Sequence, residues 1–316
     1  MQTIQTAFIF PGQGAQALKM LDAYGDFPIV KATLEEAGAI LQQDFWQMLQ
    51  AETPDAINAT VNTQPLMLAA GVAVYRAWLA AGGAAPNFVA GHSLGEYTAL
   101  VVAGAMTFED ALRLVHLRAT AMQEAVPEGT GGMAAILGLS VETVRTICAQ
   151  VADERQEVVQ AVNLNDPAQT VIAGHKTAVE HAMLVCKEQG AKRALPLPVS
   201  VPSHCELMRP AAERLANALA KVTIAKPQIR VLHNADVACY ETPDQIRDAL
   251  VRQLYSPVRW TESVEYLAAQ GVMQFVECAP SKVLSGLVKR IVSNAQTSAL
   301  TDSATLVSVA TVNTSA

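Results

Sequence analysis

The chain is 316 residues long, enough for about two domains or for one large domain carrying an insertion. With 51% hydrophobic and only 16% charged residues it can bury a sizeable core, which excludes a disordered polar chain. A net charge of −7 without any dense Lys/Arg run excludes nucleic acid as the expected partner.

Met1–Gln5 carries neither a basic region nor a long apolar core, so no signal peptide is expected. The most apolar long segment, Leu66–Ala81, is interrupted by Arg76 and is short for a bilayer, so no membrane association is expected. The cysteines (Cys148, Cys186, Cys205, Cys239 and Cys278) are odd in number, scattered, and without C-x-x-C spacing. They read as free thiols of a reducing compartment, with neither a disulfide framework nor a metal site, and a cytoplasmic location follows.

In chain order, Ala7–Phe10 predicts a buried strand, followed by the loop Pro11-Gly12-Gln13-Gly14. That loop lacks the third glycine and the acidic residue of a dinucleotide fingerprint, and no Gly-Lys-Ser/Thr completes a phosphate loop. Helical spacing runs from Lys31 to Ala51 and from Gln64 to Gly82. The apolar run Phe88–Ala90 then enters Gly91-His92-Ser93-Leu94-Gly95, a G-x-S-x-G sequence with a helical pattern to about Ala103 behind it. Two readings stand side by side: a Gly/Ser turn joining strand to helix, or a nucleophile elbow presenting Ser93 at a helix N-terminus.

Thr107 can cap the next helix, with Glu109 and Asp110 in its first turn, as far as about Glu124. On that helix Ala111, Leu114, Val115 and Met122 share a face, and Arg118 lies in the middle of it; Glu109, Arg113, His116, Thr120 and Glu124 form the opposite face. A guanidinium on an apolar stripe needs a partner: either a core carboxylate neutralises it, or it receives an anionic ligand.

After Pro127 and the glycines at 129, 131 and 132, the pattern becomes strand Met133–Gly138, helix Val141–Ala152, strands Val158–Leu164 and Thr170–Gly174, helix Lys176–Gln189 and strand Arg193–Pro198. This βαββαβ order is that of a small ferredoxin-like unit. With Pro196, Pro198 and Pro202 as its exit, residues 130–198 form an inserted subdomain, and 1–129 with 199–316 form one discontinuous large domain. Beyond Ser203-His204-Cys205 come helical spacing from Glu206 to Lys221, a strand at Ile229–Leu232, helices at Asp244–Leu254 and Arg259–Gln270, a strand at Val272–Glu277, a helix at Ser281–Ile291 and a strand at Leu306–Ala310.

A serine nucleophile needs a base. His116, His175 and His181 fall on helix surfaces or turns and read as solvated; His92 reads as support for the turn. His204, in a Pro-bounded loop, is preferred over His233, and no acid announces itself as a third member.

Pro11–Gly14, Gly91–Tyr97, Arg118, Glu128–Gly131, Val199–Cys205 and Val251–Tyr255 together resemble the malonyl-CoA:acyl carrier protein transacylases of bacterial type II fatty-acid synthesis, over about residues 6–292. The resemblance implies an α/β-hydrolase-like core with a parallel sheet plus the inserted ferredoxin-like subdomain. It implies Ser93 as nucleophile, His204 as base, and the backbone N–H groups of Gln13 and Leu94 as oxyanion hole. Arg118 would receive the malonyl carboxylate, and the backbone carbonyl of Gln253 would orient the histidine. Asn163 and Asn165, with His92, would face the cleft.

Malonyl-CoA is then the thioester substrate, the partner is an acyl carrier protein bearing phosphopantetheine, no cofactor is bound, and a monomer is expected. An acidic carrier would need a local basic patch, for which Lys187, Lys192, Arg193, Lys289 and Arg290 are candidates. Alternatives are a discrete malonyltransferase or an editing acyl hydrolase of a polyketide synthase, or a carrier-binding subunit without turnover. Ala15, where a serine is common, and Cys278–Ser281, in place of a Gly-Pro-Gly-like turn, depart from the family pattern.

Overall fold

The computed structural model describes residues 5–199 and 201–314. Ser200, within the Val199–Cys205 stretch, and Met1–Ile4 of the leader reading lie outside the described residues. The chain forms two sheets. The first has six strands: β1 (Gln5–Phe10), β2 (Phe88–Gly91), β7 (Arg230–His233), β8 (Ala238–Cys239), β9 (Val272–Glu277) and β10 (Gln296–Ala299). Their order is β10-β9-β1-β2-β7-β8, parallel except where β8 runs against β7. The second has four antiparallel strands: β3 (Gly131–Leu137), β4 (Val159–Asp166), β5 (Gln169–His175) and β6 (Arg193–Pro196), in the order β4-β5-β3-β6.

The parallel strands are apolar on both faces because helices cover both. On β1, Phe8 and Phe10 join a core with the helices Thr60–Ala80 and Phe108–Glu124, while Ala7 and Ile9 join one with Trp260–Ala269 and Val283–Ile291. This period-2 division puts the C-terminal ends of β1 and β2 side by side between the two helical layers, with Phe10 opposite Gly91.

In the small sheet, one face packs on helices Val141–Arg155 and Lys176–Glu188. The other carries Met133, Val162, Val171 and Ala173 against Cys205, the neighbour of His204. Backbone bonds stitch β4 onto the large sheet's side of the molecule: Leu164 N–H donates to Val258 O (2.9 Å) and Val258 N–H to Val162 O (2.8 Å).

Several sequence expectations are corrected here. The spacing over Lys31–Ala51 is two helices, Pro28–Leu41 and Phe45–Leu49, because Gln42 adopts the left-handed conformation (φ +55°) and Asp44 caps a new start. The long helix begins at Thr60, before Pro65, and is buried without a break from Thr63 to Tyr75. Leu306–Ala310 is no strand but part of the helix Ser303–Thr314, started by Asp302 Oδ1 accepting from Thr305 N–H (2.7 Å). Strands β8 and β10 are additional to the sequence reading, and His116, His175 and His181 are half-buried instead of solvated, His175 Nδ1 accepting from Val158 N–H (2.9 Å).

Two glycines permit the strand-to-helix turn. A Cβ on Gly91 would lie 1.8 Å from the Gly95 carbonyl carbon, and one on Gly95 would lie 2.0 Å from Phe10 O. Gly95→Ala is therefore expected to lower stability by about 2–4 kcal/mol in denaturant unfolding. Gly190→Ala, where φ is +95° but space is open, should cost about 1 kcal/mol. Equal costs would contradict the close-packed elbow.

Candidate active site

Strand β2 ends at Gly91, the helix Gly95–Val102 starts four residues later, and Ser93 sits between them with φ +53°. A non-glycine residue in that region is strained and needs its surroundings to hold it. Asn234, just past β7, does so from both sides: its Oδ1 accepts from Ser93 N–H (2.7 Å), and its Nδ2 donates to Gly91 O (2.7 Å). The Ser93 N–H is thereby engaged. Those of Leu94, at the helix start, and of Gln13, in the loop after β1, donate to no other group among the described residues.

Ser93 Oγ lies 2.7 Å from His204 Nε2. His204 Nδ1 lies 2.7 Å from the main-chain oxygen of Gln253. A carbonyl only accepts, so Nδ1 carries the hydrogen and Nε2 is left to accept from the serine hydroxyl. A serine and a base oriented by a third group can attack an acyl carbon, here with a neutral carbonyl in the third position.

His204 is 3% exposed. Burial, then the positive charge of Arg118, pushes its imidazole down to about 3. His233, the rival base, is instead buried 2.7 Å from Glu96 Oε1.

Arg118 is 1% exposed, with no carboxylate in contact. Its Nη1 donates to Gln64 Oε1 (2.7 Å), and its Nη2 to Gln253 Oε1 (3.1 Å) and to Ser93 Oγ (3.1 Å). Nε has no partner among the described residues. Burial lowers its pKa; Tyr97 and Glu96 work against that shift, and the guanidinium remains a cation. Of the two sequence readings of Arg118, direct neutralisation by a core carboxylate is thus not what the side chain shows.

A cavity of about 480 Å³ opens over these groups, lined among others by Gln13, Leu94, Arg118 and His204 from the large-sheet side and by Met133 and Asn163 from the small sheet. Asn163 Oδ1 is buried there without a partner among the described residues, whereas Asn165 turns to His92, its Oδ1 2.9 Å from His92 Nε2. His92 also packs against Trp260 (ring centroids 5.5 Å apart), and burial lowers its pKa.

Gln64, Glu96 and Asn234 were not singled out from sequence. Gln64 precedes the apolar run from Leu66, Glu96 opens the helix behind the elbow and Asn234 follows β7; each is almost fully buried. Among the described residues no group of three or more His, Cys, Asp or Glu could hold a metal ion, and no helix is long and apolar enough to cross a membrane.

The depressed His204 sets two pH expectations. Acylation of Ser93 should keep its rate from neutral pH down to about pH 5, measured by rapid quench; an acidic limb near the ordinary 6.5 would contradict the geometry. Between 6.5 and about 3 the unfolded chain binds a proton at residue 204 that the folded chain does not. The stability tied to neutral His204 is therefore complete above that window and lost as pH falls through it. His204→Gln should flatten this part of the pH–stability curve in denaturant titrations, and an unchanged slope would contradict it.

The acyl transferase domain family matches residues 7–313. The malonyl CoA-acyl carrier protein transacylase of Escherichia coli strain K12 is 56% identical over 299 residues, covering 94% of this chain and 96% of that protein. The structure of an acyl-carrier-protein S-malonyltransferase from Burkholderia pseudomallei is similar with a TM-score of 0.95 and 52% identity, covering 98% of this chain and all (100%) of that one. A malonyl-transacylase in complex with its type II polyketide synthase acyl carrier protein matches with a TM-score of 0.95 and 50% identity, covering 98% of this chain and 100% of that one. The chain belongs to the acyl transferase domain family and, within it, to the malonyl CoA-acyl carrier protein transacylases.

Proposed function

We propose that the chain transfers a malonyl group from malonyl-CoA to the phosphopantetheine thiol of an acyl carrier protein, through a malonyl ester on Ser93, in fatty-acid biosynthesis. One observation carries this reading: a buried guanidinium without a carboxylate partner lies 3.1 Å from the Ser93 hydroxyl, inside the cavity. A generic esterase has no use for that charge, whereas an acyl group ending in a carboxylate supplies its missing partner.

In the first half-reaction His204 Nε2 takes the Ser93 proton as Oγ bonds to the thioester carbonyl carbon. The N–H groups of Gln13 and Leu94 hold the oxyanion. The tetrahedral intermediate collapses, the carbon–sulfur bond breaks, and the imidazolium returns its proton to the departing CoA sulfur. In the second, the carrier thiol gives its proton to Nε2 and attacks the ester carbon, and Ser93 Oγ leaves with that proton. The cycle is redox-neutral and balanced by the two thiols, so no bound cofactor is called for. Arg118 keeps the carboxylate throughout, and Gln253 O keeps His204 in the reactive tautomer.

Residues 1–129 and 199–316 act in this reading as the catalytic domain, with 130–198 as the inserted subdomain closing the cleft. A monomer suffices for this chemistry, because Ser93, His204, Gln253 and Arg118 belong to one chain, and free cysteines are in keeping with the cytoplasm. The polyketide complex among the structural neighbours favours a second reading, a discrete malonyltransferase serving a polyketide carrier. Assays with one holo-carrier of each kind separate the two by relative kcat/KM.

Incubation with malonyl-CoA alone should give a malonyl adduct on Ser93 by peptide mass spectrometry, absent in Ser93→Ala and discharged by holo-carrier. An adduct that passes to water before reaching the carrier would instead identify an editing hydrolase. Arg118→Ala should lose about 2–4 kcal/mol of malonyl transition-state stabilisation, roughly 30- to 900-fold in kcat/KM, while acetyl transfer changes little. Unchanged malonyl-over-acetyl selectivity would refute the carboxylate role.

A further inference from the structure

Behind the elbow, away from the cavity lining, lies a carboxylate that the transfer steps leave unused. Glu96, in the first turn of the helix Gly95–Val102, is 0% exposed. Its Oε1 lies 2.7 Å from His233 Nδ1. Its Oε2 accepts from Asn234 N–H (3.0 Å) and from Gln253 Nε2 (2.9 Å). A buried carboxylate held by several N–H donors is costly to build and, once built, dictates how those donors face.

We propose that Glu96 is the positioning residue that sets His204, Arg118 and the Ser93 elbow relative to one another, acting through Gln253 and Asn234. Rotating the Gln253 amide by half a turn exchanges its oxygen and nitrogen at almost no steric cost. Glu96 can only accept, so the NH₂ end must face it, sharing its hydrogens with Ser93 O (3.0 Å). The oxygen end is thereby turned to Arg118 Nη2, and the main-chain oxygen of the same residue holds His204.

Through Asn234, whose N–H Glu96 also holds, the carboxylate reaches the Ser93 N–H and Gly91 O. Glu96 further sets a negative charge one residue behind Arg118 without occupying its fork. That offsets only part of the guanidinium's charge and leaves its fork open to a substrate carboxylate. A residue neutral at 96, able both to donate and to accept, removes the dictate: the Gln253 amide can turn its NH₂ toward Arg118, donor against donor.

This inference rests on the malonyl-transfer reading, and its test keeps the two apart. Rates of malonyl-Ser93 and acetyl-Ser93 formation are measured by quenched mass spectrometry for wild type, Glu96→Gln, Glu96→Asp, Gln253→Ala and Glu96→Gln/Gln253→Ala, with thermal unfolding beside them. Glu96→Gln is expected to slow malonylation about a hundredfold, as for misplaced reacting groups, and acetylation less. The loss in the double variant should fall well short of the product of the two single losses, because Gln253 is one of the two routes by which Glu96 acts.

Should Glu96→Gln not fold, Glu96→Asp keeps the buried charge but withdraws it by one methylene, and it should show the same loss of malonyl preference. Folded Glu96 variants that malonylate within about twofold of wild type, or losses that multiply in the double variant, overturn the proposal alone. A wild type that forms no malonyl-Ser93 overturns the malonyl reading, and this one with it.

Discussion

The site depends on a positive charge buried without a counter-ion in contact. Arg118 lies under the cavity floor with one fork nitrogen on Gln64 and the other shared between Gln253 and Ser93. Neutral oxygens accept some of its hydrogens but do not cancel its charge, so the site retains electrostatic demand in a place where water screens little. Burial, and after it the same charge, holds the His204 imidazole neutral and so ready to take a proton. Arg118 thus contributes both to selection of an acidic acyl group and, with burial, to readiness of the base.

The fold serves that charge by bringing distant segments to one point. The C-terminal ends of β1 and β2 deliver Gln13 and Ser93, the helix Phe108–Glu124 delivers Arg118, and the loop leaving the small sheet delivers His204. Close backbone approach at Gly91 and Gly95 pins the elbow against Phe10, next to the Gln13 loop. The small sheet roofs the cavity and is bonded to the large part through β4 and Val258, which limits how far the two can separate without breaking backbone hydrogen bonds.

What could be read from sequence was what short-range pattern encodes. The strand, the G-x-S-x-G turn and the following helix lie within fifteen residues of one another, and the apolar stripe around Arg118 repeats on a single helix. His204 lies 111 residues from Ser93, so its partnership came from family resemblance; spacing only preferred it to His233. Gln64, Glu96 and Asn234 escaped because each stands among other polar residues or glycines near an element's end, and its partners are fixed only by the tertiary fold. Leu306–Ala310 reads as a strand because its Val run offers both periodicities, and Asp302 decides for the helix Ser303–Thr314 through a side-chain cap.

The central claim is that Arg118 waits for the carboxylate of the acyl group on Ser93. A crystal structure of the acyl-enzyme, trapped with malonyl-CoA in the absence of carrier protein, tests it most directly. The account predicts the terminal carboxylate forked onto Arg118 at about 2.7–2.9 Å, with the ester oxygen facing the Gln13 and Leu94 N–H groups. A malonyl-Ser93 whose carboxylate points to solvent, with Arg118 still on Gln64 and Gln253 alone, would contradict it.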